Sequence, residues 1–267
     1  MAGPPYRAAL VTTVSMPTFK ITVAYDGTDY IGWQRQATGM SIQGLLEDAL
    51  GEFGDGDIAV SGAGRTDAGV HALAQVASFA LARAIAPDAV VRALNAKLPE
   101  AIRVTAAEEV AASFHARFDA RRKTYRYRIW NGDVLPPFER RYAWHVPGGL
   151  DVESMRQAVA LVEGQHDFAA FQSAGSDVAT TTRTVYASTL RADGALLVYD
   201  AIADGFLRHM VRALAGSLVE IGRGWHAPAW IARVLESRER RAAGRTAPAH
   251  GLFLVGVEYA DALAAER

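Results

Sequence analysis

The sequence predicts an α+β fold in which two tandem βαββαβ halves share one mostly antiparallel central sheet. Three observations predict it. Strand-like alternation of apolar and polar residues recurs in both halves, and segments with helical periodicity separate the strands in a similar order. Residues 110–122, where the halves meet, contain no Pro-, Gly- or Ser-rich linker. We therefore favour one continuous sheet over the alternative of two separate domains.

The elements of the first half follow from local patterns. Its predicted strands lie near residues 18–25, 57–63, 74–80 and 102–109. Ser41 is the predicted N-cap of a helix whose apolar residues share one face, namely Ile42, Leu45, Leu46, Leu50 and Phe53. A second helix runs from about Asp88 to Leu98, and Pro99 ends it.

The second half repeats much of this pattern. Its predicted strands lie near residues 122–130, 141–146, 184–192, 195–202 and 252–259. Asp151 caps one helix, a long helix runs from Phe206 to Ile221, and Pro228 opens a short helix at its first position. We expect a flexible tail over residues 1–15, an N-terminal half over 16–118 and a C-terminal half over 119–267.

The amino-acid composition excludes several classes of protein. Half of the 267 residues are hydrophobic, which excludes general disorder, and charged residues interrupt every long apolar stretch. The chain has no cysteine and no HExxH-like histidine pair, so we expect no disulfide and no catalytic metal. The 28 Lys and Arg nearly balance 29 Asp and Glu, so a polyanionic partner would need a local basic patch. A soluble, cytoplasmic protein fits best.

The run GRTDAGVHA at residues 64–72 is predicted to be a loop between two strands that presents Arg65 and Asp67. The preceding glycines resemble a dinucleotide-binding fingerprint. However, Asp67 stands where that fingerprint needs its third glycine, and a carboxylate there would repel a pyrophosphate. The simplest alternative is that Asp67 only forms a turn.

The run FHARFDARRKTYRYRIW at residues 114–130 interleaves basic and aromatic residues. On a strand, Tyr125 and Tyr127 point to one face, and Arg126 and Arg128 to the other. One face can then stack on a base, as nucleic-acid-binding proteins do. The alternative is an ordinary strand with core tyrosines and solvated arginines.

The helix over residues 206–221 is amphipathic, with Arg208 and Arg212 four residues apart on one side. A cation near Asp67 would keep that carboxylate ionised, as a nucleophile requires. Both arginines can equally be solvated. His209 can lie near the site, but we expect it to be a hydrogen-bonded packing residue.

Taken together, these segments resemble the tRNA pseudouridine synthase A family over residues 17–260. The resemblance is carried by YDGTDYIGWQRQ, SIQGLLEDAL, GRTDAGVHA, FHARF with KTYRYRI, and GFLRHMVRALAGSL. It implies the pseudouridine synthase fold with two ferredoxin-like halves. It also implies an isomerase that converts uridine to pseudouridine at tRNA positions 38, 39 and 40, and that acts as a homodimer.

The resemblance further implies roles for individual residues. Asp67 corresponds to the catalytic nucleophile, and Arg65 to the residue that helps extrude the target base. Tyr125 corresponds to the tyrosine that lines the uracil pocket, and Arg212 to the ion-pair partner of the nucleophile. Where the family often has RRYRY, this chain has KTYRYR, a difference that we expect to be harmless.

The chemistry of the reaction agrees with these roles, because it needs a flipped base, a nucleophile and a pocket for the freed uracil. No cofactor is needed. Attack at C1′ of the ribose and attack at C6 of the uracil both remain open, and Tyr125 is a candidate base for the C5 proton. Two other functions also remain open at this point: a non-catalytic RNA-binding protein or chaperone, and an enzyme acting on small carbohydrates or nucleosides.

Overall fold

The computed structural model describes residues 16–52, 56–175 and 178–260. The predicted tail over residues 1–15 and the helix position Phe53 lie outside the described residues. No helix within those described ranges is long and apolar enough to cross a lipid bilayer.

The first half follows the predicted order of strands and helices. Its elements are β1 (Thr18–Tyr25), α1 (Ile42–Gly51), β2 (Ser61–Gly62), β3 (His71–Ala80), α2 (Pro87–Lys97) and β4 (Ile102–Val110). The predicted cap of α1 is confirmed, because the Ser41 hydroxyl accepts a hydrogen bond from the Gly44 amide at 3.1 Å.

The second half is longer than a βαββαβ unit. Its elements are β5 (Ala120–Trp130), β6 (Trp144–His145), α3 (Val152–Ala160), β7 (Gly164–Asp167), β8 (Thr182–Asp193), β9 (Leu196–Ala203), α4 (Met210–Gly222), α5 (Trp230–Ser237) and β10 (Leu252–Tyr259). The sequence analysis missed β7, since its four residues, GQHD, show no apolar alternation. The Asp151 cap of α3 is confirmed by a 3.0 Å bond from the Ser154 amide.

All ten described strands belong to one sheet, as predicted. The strand order is β4-β1-β3-β10-β5-β9-β8-β7, with β2 beside β3 and β6 beside β5. The sheet is mostly antiparallel, and the parallel pairs within the described ranges are β10 with β3 and β5 with β6. The C-terminal strand β10 thus lies between the two halves and joins them. The division at residues 118 and 119 stays a prediction.

Two predicted strands are much shorter than expected because other hydrogen bonds replace the sheet ladder. Before β2, the Val60 amide donates to Glu47 and the Val60 carbonyl accepts from Gln43, both on α1. Before β6, the amides of Tyr142 and Ala143 bond to the Glu139 carbonyl in a turn. These residues are therefore unavailable for strand pairing.

Helix α4 begins four residues later than predicted, at Met210. The preceding residue, His209, adopts a left-handed conformation with φ of 63°, which no residue inside a right-handed helix has. The prediction that Arg208 and Arg212 share a helix face is therefore wrong. Helix α5 also begins at Trp230 rather than at Pro228, a shift within the usual uncertainty of helix ends.

The core extends across both halves of the molecule. Its largest fully buried side chains come from either half and include Trp33, Tyr127, Tyr199 and Phe19. Burying a large apolar side chain contributes about 1.5–3 kcal/mol, so this shared core holds the two halves together. It also supports the strand ends around the loop that carries Asp67.

Candidate active site

The loop between β2 and β3 carries Asp67 and is fixed by the segment that follows β1. Gly32 forms an isolated antiparallel bridge with Asp67, and the Trp33 amide donates to the Thr66 carbonyl at 3.0 Å. Gly32 has φ of +104°, and a Cβ there would lie 2.5 Å from the Thr66 carbonyl oxygen. Only glycine allows the two backbones to approach this closely.

The side chains of Tyr25 and Gln75 anchor the loop that carries Asp67. The Tyr25 hydroxyl lies 2.8 Å from the Thr66 hydroxyl, and the Gln75 side-chain amide donates to the Gly64 carbonyl at 2.8 Å. Burial raises the pKa of Tyr25 to about 12, so the hydroxyl stays protonated at neutral pH. The backbone on either side of Arg65 is therefore anchored to the sheet.

Asp67 lies between an arginine and a histidine side chain from the other half of the chain. Its Oδ2 is 3.1 Å from Arg212 Nη1 and 3.3 Å from His209 Nε2. The Asp67 side chain is 30% exposed, so the carboxylate is partly desolvated but still reachable from solvent. The predicted Asp67–Arg212 contact is present in the structure.

These neighbours determine the charge of the carboxylate. Burial acts to raise the pKa of Asp67, but the contacts with His209 and Arg212 outweigh it, and the pKa lies below its usual value. Asp67 is therefore ionised at neutral pH. An ionised, partly buried carboxylate held by two donors can act as a nucleophile or stabilise a positive charge.

Arg212 is itself held in place. Its Nε donates to the Ala247 carbonyl at 2.8 Å, while the Ala247 amide donates to the Arg212 carbonyl at 3.0 Å. Gly216, also on α4, lets the helix pack closely against the segment that leads to Ala247. A Cβ at Gly216 would lie 1.7 Å from the Arg245 carbonyl oxygen. The Arg212 guanidinium thus donates through Nε to the backbone and through Nη1 to Asp67.

His209 is hydrogen-bonded, as expected, but it also lies at the site itself rather than only packing beside it. Its Nδ1 lies 2.8 Å from the Ser173 hydroxyl, and its Nε2 faces Asp67. The left-handed backbone at this position directs the ring towards the carboxylate. Arg208, by contrast, points away and bonds to the Ala174 carbonyl at 2.9 Å.

Tyr125 lies on β5 beside the same carboxylate. It is 7% exposed, and its ring contacts the Phe206 ring edge-to-face at a centroid distance of 5.0 Å. Burial, together with the nearby Tyr25 and Asp67, strongly raises the pKa of Tyr125. Its hydroxyl is therefore protonated in the free protein.

Arg65 is exposed, and within the described ranges it forms neither an ion pair nor a hydrogen bond through its side chain. The site thus brings together three of the four predicted residues, Asp67, Tyr125 and Arg212, and leaves Arg65 extended at its edge. Within the same ranges, no group of three His, Cys, Asp or Glu side chains could hold a metal ion.

Sequence analysis missed or undervalued two contributors to this site. Gly32 belongs to the quoted run YDGTDYIGWQRQ, but a glycine in a loop gives no local sign that it touches a residue 35 positions away. His209 was noticed, yet the left-handed turn that aims it cannot be inferred from helical periodicity. The periodic pattern gave no sign that the residue before Met210 is non-helical.

Comparison with known proteins gives a family model and curated relatives that agree with one another. The family model for tRNA pseudouridine synthase matches residues 21–119 and 158–260. The tRNA pseudouridine synthase A of Moorella thermoacetica is 48% identical over 246 residues, which cover 91% of this chain and 100% of that protein. The protein of the same name from Pelobacter propionicus is 44% identical over 244 residues, with the same coverage of both chains.

Proposed function

Because the chain belongs to the tRNA pseudouridine synthase family, whose members isomerise uridine in tRNA, we propose that it acts on positions 38, 39 and 40 of the anticodon stem-loop. Family membership makes the chain an isomerase and decides against a non-catalytic RNA-binding protein. The observation that carries the site assignment is the Asp67 carboxylate, ionised between Arg212 and His209 and adjacent to Tyr125.

In the proposed mechanism, Asp67 is the nucleophile. It attacks the flipped uridine at C1′ or at C6 and forms a covalent bond there, and in either case the C1′–N1 bond breaks. The freed uracil rotates, C5 bonds to C1′, and the bond to Asp67 breaks, which restores the carboxylate. The C5 proton leaves and N1 gains a proton, so the overall reaction is an isomerisation. Arg212 and His209 support this role because they keep the carboxylate charged and oriented.

Tyr125 is proposed to stack on the uracil and to relay the C5 proton. Stacking a base on an aromatic ring contributes about 1–3 kcal/mol, which helps offset the few kcal/mol that base flipping costs. Because its raised pKa keeps the hydroxyl protonated, it can accept the C5 proton only as it passes its own proton on. The nearby carboxylate of Asp67 is a suitable acceptor.

Arg65 is proposed to take the place of the extruded base. Its exposed side chain extends from a loop that Gly32, Thr66 and Gln75 hold rigidly. A planar guanidinium can stack between neighbouring bases and bind phosphate. We also propose that the protein works as a homodimer in the cytoplasm, where its tRNA substrate is.

The direct test is to incubate the protein with unmodified tRNA and to map pseudouridine by carbodiimide labelling. We expect label at positions 38–40. Asp67→Asn should lower turnover at least about a thousandfold, because a near-isosteric amide cannot act as an anionic nucleophile. Affinity for tRNA should be almost unchanged, since only one charge is lost from the cleft.

The matched control is Asp88→Asn, which removes a carboxylate that is 68% exposed on α2. It should retain wild-type turnover and affinity. Turnover of the Asp67→Asn variant at the wild-type rate would remove Asp67 from the mechanism. Label outside the anticodon stem-loop would instead overturn the proposed positions and leave the nucleophile untouched.

A further inference from the structure

A lysine outside the catalytic set lies directly against the loop that carries Asp67. Lys123 is two residues before Tyr125 on β5, so both side chains leave the strand on the same face. A Cβ built on Gly64 would lie 3.7 Å from Lys123 Nζ. The ammonium group therefore lies beside the residue that precedes Arg65.

Positive charge is concentrated around this ammonium group. Burial and the charges of Arg117 and Arg183 lower the pKa of Lys123 to about 8, and the one carboxylate that opposes them is Asp204. Arg117 comes from the segment before β5, and Arg183 from β8. Three cations thus face one anion at the edge of the loop.

Two of these cations, Arg183 and Lys123, lie next to segments of the candidate site. Arg183 Nε lies 3.4 Å from a Cβ built on Gly205, and the next residue, Phe206, contacts the ring of Tyr125. Lys123 lies next to Gly64, in the loop that carries Asp67. Lys123 and Arg183 therefore each lie within one or two residues of a segment that contributes to the candidate site.

The other two lysines of the chain are in a different situation. Lys20 pairs with Glu108, and Lys97 pairs with Glu52. Within the described ranges, no carboxylate lies within ion-pair distance of Lys123. A partly buried ammonium group among like charges is unfavourable in the free protein, and a bound anion would relieve that repulsion.

We propose that Lys123, flanked by Arg117 and Arg183, binds a phosphodiester of the RNA strand next to the uridine that enters the Asp67 pocket. A phosphodiester carries the charge that balances this cluster, and its binding would fix the strand relative to the loop. Lys123 is then a positioning residue for the reaction. The inference rests on the proposed function, since it takes Asp67 to mark the place of the flipped uridine.

The first test compares Lys123→Met and Lys123→Arg with the wild type. Affinity for fluorescent tRNA is measured by anisotropy at several salt concentrations. The Met variant should bind about tenfold more weakly, and its dependence of log affinity on log salt should decrease by about one unit. The Arg variant should keep the wild-type values. The control is Lys97→Met, which removes an exposed lysine on α2. Its tRNA affinity should show the wild-type salt dependence.

The second test uses pH. As pH rises through about 8, Lys123 loses its proton and tRNA affinity of the wild type should fall. The charged groups that act on Lys123 are Arg117, Arg183 and Asp204, and arginine and aspartate are residue types whose usual pKa values lie outside this range. Lys123→Arg should therefore bind tRNA with nearly constant affinity from about pH 7 to pH 9.

Unchanged affinity and salt dependence in Lys123→Met would overturn the inference. A fall in kcat at unchanged tRNA affinity would also overturn it, by assigning Lys123 to the chemistry. If the Met variant unfolds, the Arg variant decides, because persistence of the wild-type pH dependence in it would exclude Lys123 as the titrating group. Absence of pseudouridine formation by the wild type would overturn the proposed function instead.

Discussion

At Tyr125 the roles proposed for the ring and for the hydroxyl are separate, and two substitutions distinguish them. Tyr125→Phe keeps the ring, so tRNA affinity should stay near the wild-type value, while kcat should fall about a hundredfold or more through loss of the proton relay. Tyr125→Leu fills much of the same space without an aromatic face, so both affinity and kcat should fall. Single-turnover kinetics on labelled tRNA measures both quantities.

The control for Tyr125 is its neighbour on the strand face, Tyr127. That tyrosine is fully buried, and its hydroxyl donates to the Pro248 carbonyl at 2.7 Å. Tyr127→Phe should lower thermal stability through this lost hydrogen bond but leave kcat unchanged. Equal kcat in Tyr125→Phe and the wild type would show that the Tyr125 hydroxyl takes no part in the chemistry.

Among the elements, α4 matters most to the site because it holds Arg212 against both Ala247 and Asp67. Arg212→Lys retains the charge but has a single ammonium group, which cannot reproduce both contacts. We expect kcat to fall about tenfold or more from the loss of one charged hydrogen bond. The acid limb of the pH–rate profile should also move to higher pH, because Arg212 helps to lower the pKa of Asp67.

Arg233→Lys, an exposed change on α5, is the matched control and should leave the pH–rate profile in place. The shift of the acid limb is the informative result, since loss of a merely structural contact would lower stability without moving it. An Arg212→Lys variant with wild-type kcat and an unmoved acid limb would remove the ion pair from the mechanism.

At the scale of the whole molecule, the loop between β5 and β6 carries exposed apolar side chains. Phe138 is 88% exposed and Val134 is 79% exposed, as is common where a protein meets a partner. We expect light scattering to give about twice 28.7 kDa for the wild type. Phe138→Glu should give a monomer with weaker tRNA binding, whereas Val178→Glu, another exposed apolar position, should stay dimeric. A fully active wild-type monomer at micromolar concentration would contradict the dimer.

Stability should fall on acidification because two partly or fully buried histidines resist protonation. His71 Nδ1 accepts the Gly27 amide at 3.0 Å, and burial lowers the pKa of both His71 and His250. The unfolded chain then binds more protons below about pH 6.5, so the stability present above that pH is lost as pH decreases. We expect the free energy of unfolding to decrease between about pH 7 and pH 5.

Urea unfolding at a series of pH values measures this dependence. His71→Asn retains a side-chain acceptor for the Gly27 amide but does not titrate, so its stability should vary less with pH over the same range. An identical pH dependence in this variant and the wild type would exclude His71 as the group responsible. The lowered pKa values of Asp26 and Asp67 act in the same direction, but only near and below about pH 4.

The sequence by itself determined the parts of this protein that local patterns encode. Alternation located β1 within its observed bounds, and Ser41 and Asp151 marked the starts of their helices, because capping and periodicity involve residues only a few positions apart. The GRTDAGVHA run located the Asp67 loop. Where local patterns competed with side-chain contacts from elsewhere, as at β2 and β6, the predicted strands were too long.

The resemblance to the family predicted Arg212 as the partner of Asp67, but only the tertiary structure decided that His209 contacts this carboxylate and that Lys123 lies beside its loop. Arg212 and His209 are more than 140 positions away in the chain, and Lys123 reaches the loop from the other half of the sheet. The position of β10 between β3 and β5 brings these segments together. Such pairings depend on how distant elements bury their apolar faces against one another, a property of the whole core that no short stretch of sequence contains.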